Sequence, residues 1–370
     1  MLDLLERMVL IQSGTANKAG VDRMGRLVRE ALEGLPLEWT VHRQETVGDH
    51  LVCSTPRADR QQAVLITGHM DTVFPADTDF NWFRREDGRV RGPGVIDMKG
   101  GLVVTIYAVR ALAHAGLLED LPLILLFNSD EETGSPTSIP LLKELAARSV
   151  CGLVTECGGL QGQVVTGRRG KLGLRLDVHG RAGHAAFAGG NKASAILELA
   201  RLIQELEALN DPEQGVVVNV GRIEGGIGPN SVAGHAMALV DTRYTTAAAG
   251  QRLYEQIADL VGQGRVEGTS SELQVTNERP VMAQSSANRQ LFQLYREVAS
   301  GYGLIIEEEF RQGVSDASTL AGEGLPVLDG LGPIGEHDHS DREYMLRESL
   351  LQRTCLLTGL LVRLGERFSR

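Results

Sequence analysis

The sequence predicts an open α/β sheet, mostly parallel and flanked by helices, that carries a smaller α+β domain inserted within it. Three observations predict this. Short runs that are apolar on both faces alternate with helical patterns over the first 160 residues, as buried parallel strands require. Near residue 167 the pattern changes to strict apolar–polar alternation, the mark of strands with one wet face. From about 281 helix and strand alternate again. A chain of 370 residues also exceeds one ordinary core, so two domains are expected. The boundaries read as 1–166 together with 281–370 for a discontinuous α/β domain, and 167–280 for the insertion.

In order, "RMGRLVREALEGL" has helical spacing through Met24, Leu27, Val28 and Leu32. "QAVLITGHMDT" is a strand running into polar residues, and "KGGLVVTIYAVRALAHAG" is a helix closed by Gly116. "LPLILLFNSDEE" and "GLVTECGG" repeat the strand pattern. In the insertion, "KLGLRLDVHG" alternates Leu172, Leu174, Leu176 and Val178 with polar or small partners. The helix "KASAILELARLIQELEAL" follows, with Ile196, Leu199, Ile203 and Leu206 expected on its buried stripe. Two adjacent strands, "GVVVNVGRIEGG" and "AGHAMALVDTRY", then a helix, "GQRLYEQIADLVGQG", and a strand, "SELQVTNER", complete a β-α-β-β-α-β unit.

Composition excludes several classes. A net charge of −11 argues against a nucleic-acid surface, and no stretch nears the roughly 18 apolar residues of a membrane span. The start, "MLDLLERMVLIQSGT", carries acids where a signal peptide needs basic residues. Cys53, Cys151, Cys157 and Cys355 form no C-x-x-C pair and read as small core residues. A reduced, cytoplasmic protein is expected.

The chemistry gathers at strand ends, where open sheets place functional residues. "LILLFNSDEETGS" runs from a buried strand straight into Asp130, Glu131 and Glu132. His69 and Asp71 follow "VLIT", Asp97 stands in "GPGVIDMKGG", Glu156 follows "GLVT", and His339 lies in "EHDHSD". Clustered carboxylates repel one another unless cations sit among them. Imidazole and carboxylate suit zinc, with cobalt or manganese allowed by the same donor set. These donors exceed one tetrahedral site but fit two ions about 3.5–4 Å apart, bridged by a carboxylate. The Glu131–Glu132 doublet supplies a ligand and a proton acceptor side by side.

Together, "GHMDTVFP", "GPGVIDMKGG", "DEETGS", "TECGG", "GRAGHA" and "HDHSDREYM" resemble the dinuclear zinc exopeptidases and deacylases. That family groups glutamate carboxypeptidase, acetylornithine deacetylase, succinyl-diaminopimelate desuccinylase and aminoacylase. The resemblance covers nearly the whole chain. It implies a zinc-exopeptidase-like catalytic domain and a ferredoxin-like lid that also serves dimerisation. It assigns His69, Asp97, Glu132, Glu156 and His339 as ligands of two Zn²⁺, with Asp97 bridging and a cis peptide at Asp97–Met98. Asp71 would buttress His69, and Glu131 would be the general base. In the lid, His184 of "GRAGHAA" would stabilise the oxyanion, in cis or from a partner subunit. Asn230 and Arg243 would contact the substrate carboxylate; Arg279 and the loop "QGVSDAS" are further members of that pocket. Hinges are expected near 167 and 280. His337 is set aside as a ligand because His339 has the H-S-D context, while His42, His50, His114, His179 and His235 match no motif.

Within the family, "VIDMKGG", "EETGS" and "HSDREYM" resemble the glutamate carboxypeptidase branch. That implies release of a carboxyl-terminal glutamate from an N-acyl or peptidyl substrate, by a homodimer. Gln163 departs from this branch, which carries a lysine there; Arg168 and Arg169 follow closely. The alternative is an N-acyl-amino-acid deacylase, of the acetylornithine or acetyl-lysine kind, with the same chemistry. A metal-holding protein without catalysis would lack the base or a ligand, and neither is missing.

Overall fold

The computed structural model describes residues 1–368 and divides into two compact units. The first comprises 1–167, 284–311 and 315–370; the second comprises 168–283 and 312–314.

The first unit is built on a six-stranded sheet. Its order is Glu38–His42, His50–Ser54, Leu123–Asn128, Ala63–His69, Ser149–Val154 and Val327–Leu328. The last four strands run parallel, and the first two complete the edge in antiparallel fashion. Ala63–His69 and Leu123–Asn128 are buried at every position. That is why their sequences read as unbroken apolar runs. Helices cover the sheet, chief among them Lys99–His114, where Leu102, Val103, Val104 and Ile106 are fully enclosed despite their β-branched neighbours. Packing of this kind overrides intrinsic propensity, because each buried aliphatic side chain contributes roughly 1.5–3 kcal/mol. Gly116, at φ +70°, turns the chain out of that helix.

The second unit is a four-stranded antiparallel sheet with two helices on one face. Its strands lie in the order Val217–Gly225, His235–Tyr244, Gly170–His179 and Ser270–Arg279. Leu172, Leu174, Leu176 and Val178 all point into a core shared with Leu199, Leu202, Leu206, Leu253 and Ile257. Ser194 caps the Ala195–Glu207 helix through its hydroxyl, which accepts from the Leu197 amide. The expected stripe on this helix is corrected by one position. Ile196 is 47% exposed, and Ala195 and Leu202 take the buried face with Leu199 and Leu206. The helix carries two overlapping apolar rows, and the sheet accepts the narrower side chain at its start.

Among the described residues, no helix is long and apolar enough to cross a membrane. All four cysteines are free thiols.

Candidate metal centre

The Ala63–His69 strand ends at His69, the Leu123–Asn128 strand leads into Asp130–Glu132, and the Ser149–Val154 strand leads into Thr155–Glu156. These parallel neighbours deliver their polar ends to the same sheet edge. His69 Nε2 lies 3.0 Å from Asp97 Oδ1 and 3.5 Å from Glu156 Oε1. On the other side, Asp97 Oδ2 is 3.0 Å from His339 Nε2, which in turn is 3.2 Å from Glu132 Oε2. The Asp97 carboxylate therefore stands between two imidazoles, one oxygen facing each. The Asp97–Met98 peptide bond is cis.

Two groups of donor atoms follow from this arrangement: His69, Asp97 and Glu156 on one side, Asp97, Asp338 and His339 on the other. In each, all donor atoms fall within 4.8 Å of one another. A second observation fits the same chemistry: Glu132 Oε1 is buried without a hydrogen-bond partner. An orphan carboxylate oxygen is costly in a protein interior, and a cation beside it removes that cost. The donor set of imidazole and carboxylate fits divalent ions bridged by Asp97.

The electrostatics agree. Burial pushes Glu132 up to about 7, and the charge on Asp97 adds to it. Burial and Asp97 likewise hold Glu156 well above the ordinary carboxylate range. Burial opposes ionisation of Asp97 too, but His339 and His69 outweigh it and keep Asp97 low. Asp97 and Glu132 raise His339 to about 11. Crowded carboxylates thus draw protons onto themselves and onto the histidines, and divalent cations would take the place of those protons.

Asp71 is fully buried and ties the parts together. Its backbone carbonyl lies 3.0 Å from His69 Nδ1, fixing which ring nitrogen faces Asp97. Its carboxylate accepts from the Thr15 hydroxyl at 2.6 Å and from the Glu131 and Glu132 amides at 3.3 Å. Glu131 sits on the same short turn as Glu132, and its charge is felt at Glu156. A pocket of about 550 Å³ opens beside Glu132 and Thr133, walled by Asn17, Phe74 and Pro75.

Asp130, the first acid of the Asp130–Glu132 run, has a different fate. Asp130 accepts from the Thr137 amide and hydroxyl at 2.6 and 2.7 Å, and from the Ser138 hydroxyl at 2.6 Å. Asp316, from the "QGVSDAS" loop, accepts from Asn128 at 2.6 Å and from the Ser135 hydroxyl. These buried acids brace the turn that carries Glu131 and Glu132. His50, matched to no motif, is buried against Ser129 and Thr137 in the same network. His337 and His339 both adopt positive φ, and it is Asp338, overlooked between them, that joins His339 beside Asp97.

In the second unit, His184 and Ser231 pair across two short strands, and the Ala185 amide donates to the Asn230 carbonyl at 2.9 Å. His184 and Asn230 are thus close neighbours. Arg243 pairs with Asp241 (Nε to Oδ2, 2.8 Å) on the face away from the helices. Strand register sets Arg243 and Arg279 on either side of Lys171, which reaches Asp241 at 3.3 Å. Arg279 is buried. Arg168 donates to the Gly313 carbonyl, and Arg169 buries a guanidinium nitrogen that has no hydrogen-bond partner.

A parallel sheet at whose edge imidazoles and carboxylates gather around one central acid, Asp97, has the donor set of a metal-dependent hydrolase. The chain belongs to peptidase family M20/M25/M40, whose model matches residues 65–363. It is a metallo-hydrolase acting on peptides or acyl amino acids. It is 26% identical to carboxypeptidase G2 of Pseudomonas sp. (strain RS-16) over 377 residues, covering 99% of this chain and 89% of that protein. It is 27% identical to a succinyl-diaminopimelate desuccinylase of Nitrosococcus oceani, over 92% of this chain and 93% of that one. Its fold matches a Staphylococcus aureus tripeptidase with a TM-score of 0.80 at 21% identity, covering 99% and 98% of the two chains.

Proposed function

We propose that this protein hydrolyses the amide bond to a carboxyl-terminal glutamate of an N-acyl or peptidyl substrate. The observation that carries the reaction is the Asp97 carboxylate set between His69 and His339, 3.0 Å from each. His69, Asp97 and Glu156 would hold one ion, and Asp97, Glu132 and His339 the other. Two divalent ions, zinc by the donor set, would polarise the scissile carbonyl and lower the pKa of a water toward neutrality. Glu131 takes a proton from the attacking water as its oxygen bonds to the carbonyl carbon. It passes that proton to the leaving nitrogen as the carbon–nitrogen bond breaks. His184 donates to the developing oxyanion, an interaction of about 3–4 kcal/mol by comparison with single oxyanion donors. Asn230, Arg243 and Arg279 hold the substrate carboxylates. The row Arg243–Lys171–Arg279 supports an acidic substrate, because it gathers three cations on neighbouring strands around the single carboxylate of Asp241.

A deacylase acting on basic or neutral amino acids is the second reading. It is favoured by Gln163 at the expected lysine position and by the likeness to a desuccinylase. Dimerisation through the second unit and a reducing, cytoplasmic setting complete the proposal. The edge strand Val217–Gly225 and the loop after it expose Ile223 and Ile227, at 61% and 92%, where a second copy would cover them.

The test is hydrolysis, by zinc- or cobalt-loaded protein, of N-acyl amino acids carrying glutamate, lysine, ornithine or a neutral residue at the carboxyl end. Glutamate is expected to be cleaved best, with Glu131→Gln lowering kcat at least ~100-fold while still binding metal. A preference for lysine or ornithine selects the second reading. Undiminished activity in Glu131→Gln overturns the mechanism.

A further inference from the structure

Glu343 belongs to no metal group, yet it is fully buried four residues after His339. Its carboxylate accepts three backbone amides of a single loop. Oε2 takes Gly94 at 2.8 Å, and Oε1 takes Ile96 at 2.8 Å and Asp97 itself at 3.2 Å. That loop has no strand ladder of its own, so these amides depend on Glu343 for an acceptor. It is also tightly shaped. Gly94 has φ +78°, and a Cβ there would lie 3.0 Å from both the Lys99 and Thr72 side chains. The Glu343 amide donates back to the Ser340 carbonyl at 3.2 Å, closing the turn that follows His339. Lys99 is buried at the start of the next helix, donates to the Ile11 carbonyl at 3.0 Å, and its ammonium attracts Glu343.

We infer that Glu343 is the positioning residue that fixes the Asp97 carboxylate relative to His339. It does so by gripping the Asp97 loop from the His339 segment, across 246 residues of sequence. Without that grip the two oxygens of Asp97 lose their registration with the two imidazoles, and both ions lose their shared ligand. This rests on the reading of Asp97 and His339 as metal ligands. Partners that orient ligands in this way typically change metal affinity about 10–100-fold when removed.

The experiment compares wild type with Glu343→Gln and Glu343→Ala. Zinc affinity is measured by competition with a chromophoric chelator, and the visible spectrum of the cobalt-loaded protein reports ligand geometry. Far-ultraviolet circular dichroism verifies folding. Glutamine keeps the shape and one acceptor oxygen but turns an NH₂ toward the Gly94 amide, so it is expected to retain the fold. It should bind zinc at least ~10-fold more weakly, with an altered cobalt spectrum and a kcat that falls more than KM changes. Alanine should do the same more severely. Folded variants that bind zinc within about twofold of wild type, with an unchanged cobalt spectrum, overturn the inference. So does failure of both variants to fold with zinc present, since Glu343 would then be structural only. Wild type that binds no zinc sinks the metal reading itself, whereas wild type that binds while Glu343→Gln binds equally sinks only this inference.

Discussion

The His50 imidazole is a base enclosed at the foot of the turn that carries Glu131 and Glu132, 1% exposed. Its Nδ1 lies 2.9 Å from the Ser129 hydroxyl and its Nε2 2.9 Å from the Thr137 hydroxyl. The Ser129 proton goes to the Gly48 carbonyl, so Nδ1 is the donor of that pair. The Thr137 hydroxyl has one proton and two acceptors, Nε2 and the Asp130 carboxylate. Asp130 keeps the Thr137 amide and the Ser138 hydroxyl in either case. Burial lowers the His50 pKa from its ordinary 6.5, against the pull of Asp130. The unfolded chain therefore binds a proton near pH 6.5 that the folded chain refuses. Stability from this group is complete above that pH and is lost as pH falls below it, with a slope of at most about 1.4 kcal/mol per pH unit. Urea denaturation of zinc-loaded protein between about pH 8 and 5 should show wild type losing more stability than His50→Asn over that interval. Parallel curves would mean that His50 is protonated in the fold.

The Lys99–His114 helix carries its own constraint where it meets the sheet. A Cβ on Gly101 would lie 1.9 Å from the Thr155 carbonyl oxygen, immediately before Glu156. Backbone meets backbone there, so nothing flexible gives way. Gly101→Ala is expected to cost about 1–3 kcal/mol in urea denaturation, and to weaken zinc binding by displacing Glu156. Gly262, at the end of a helix in the second unit, has open space where a methyl group would stand, with nothing within 4 Å. Gly262→Ala should stay within about 0.5 kcal/mol of wild type; equal losses in the two variants would refute the close-packing argument. These elements differ in how far the sequence reveals them. Leu123–Phe127 and Leu172–Val178 were legible because burial on two faces or one leaves a period that needs no partner to be read. The face of Ala195–Glu207 was not, since Ile196 and Ile203 offer a stripe as apolar as the one the sheet selects. His69, Glu132 and Glu156 were legible as candidate donors at strand ends, and Asp97 and His339 from their motifs, although the structure sets both of these in turns. Asp130, Asp316 and Glu343 were not: their partners are hydroxyls and amides from distant segments, gathered only by the fold.

At the scale of the molecule, the two units keep separate cores. Leu65 and its neighbours on the six-stranded sheet belong to the first, while Leu172, Leu174, Leu202 and Ile257 belong to the second. Every candidate metal ligand lies in the first unit. Metal bound only to the folded state stabilises it by mass action, by about 4 kcal/mol at a free concentration a thousandfold above Kd. That stabilisation should therefore fall on one core. Without metal the same unit also carries Glu132 and Glu156 as acids that burial, and after it the charge on Asp97, press to take up protons, which adds to the loss near neutral pH. Calorimetry with and without a chelator should show one unfolding transition moving to lower temperature and another staying in place. Hydrogen exchange identifies them: strands 63–69 and 123–128 should lose protection on chelation, while 170–179 and 235–244 keep theirs. An equal shift in both sets would mean that metal stabilises the chain as one cooperative unit. No shift in either would remove the metal from the centre of the fold and, with it, the reason for five acids and imidazoles to share one sheet edge.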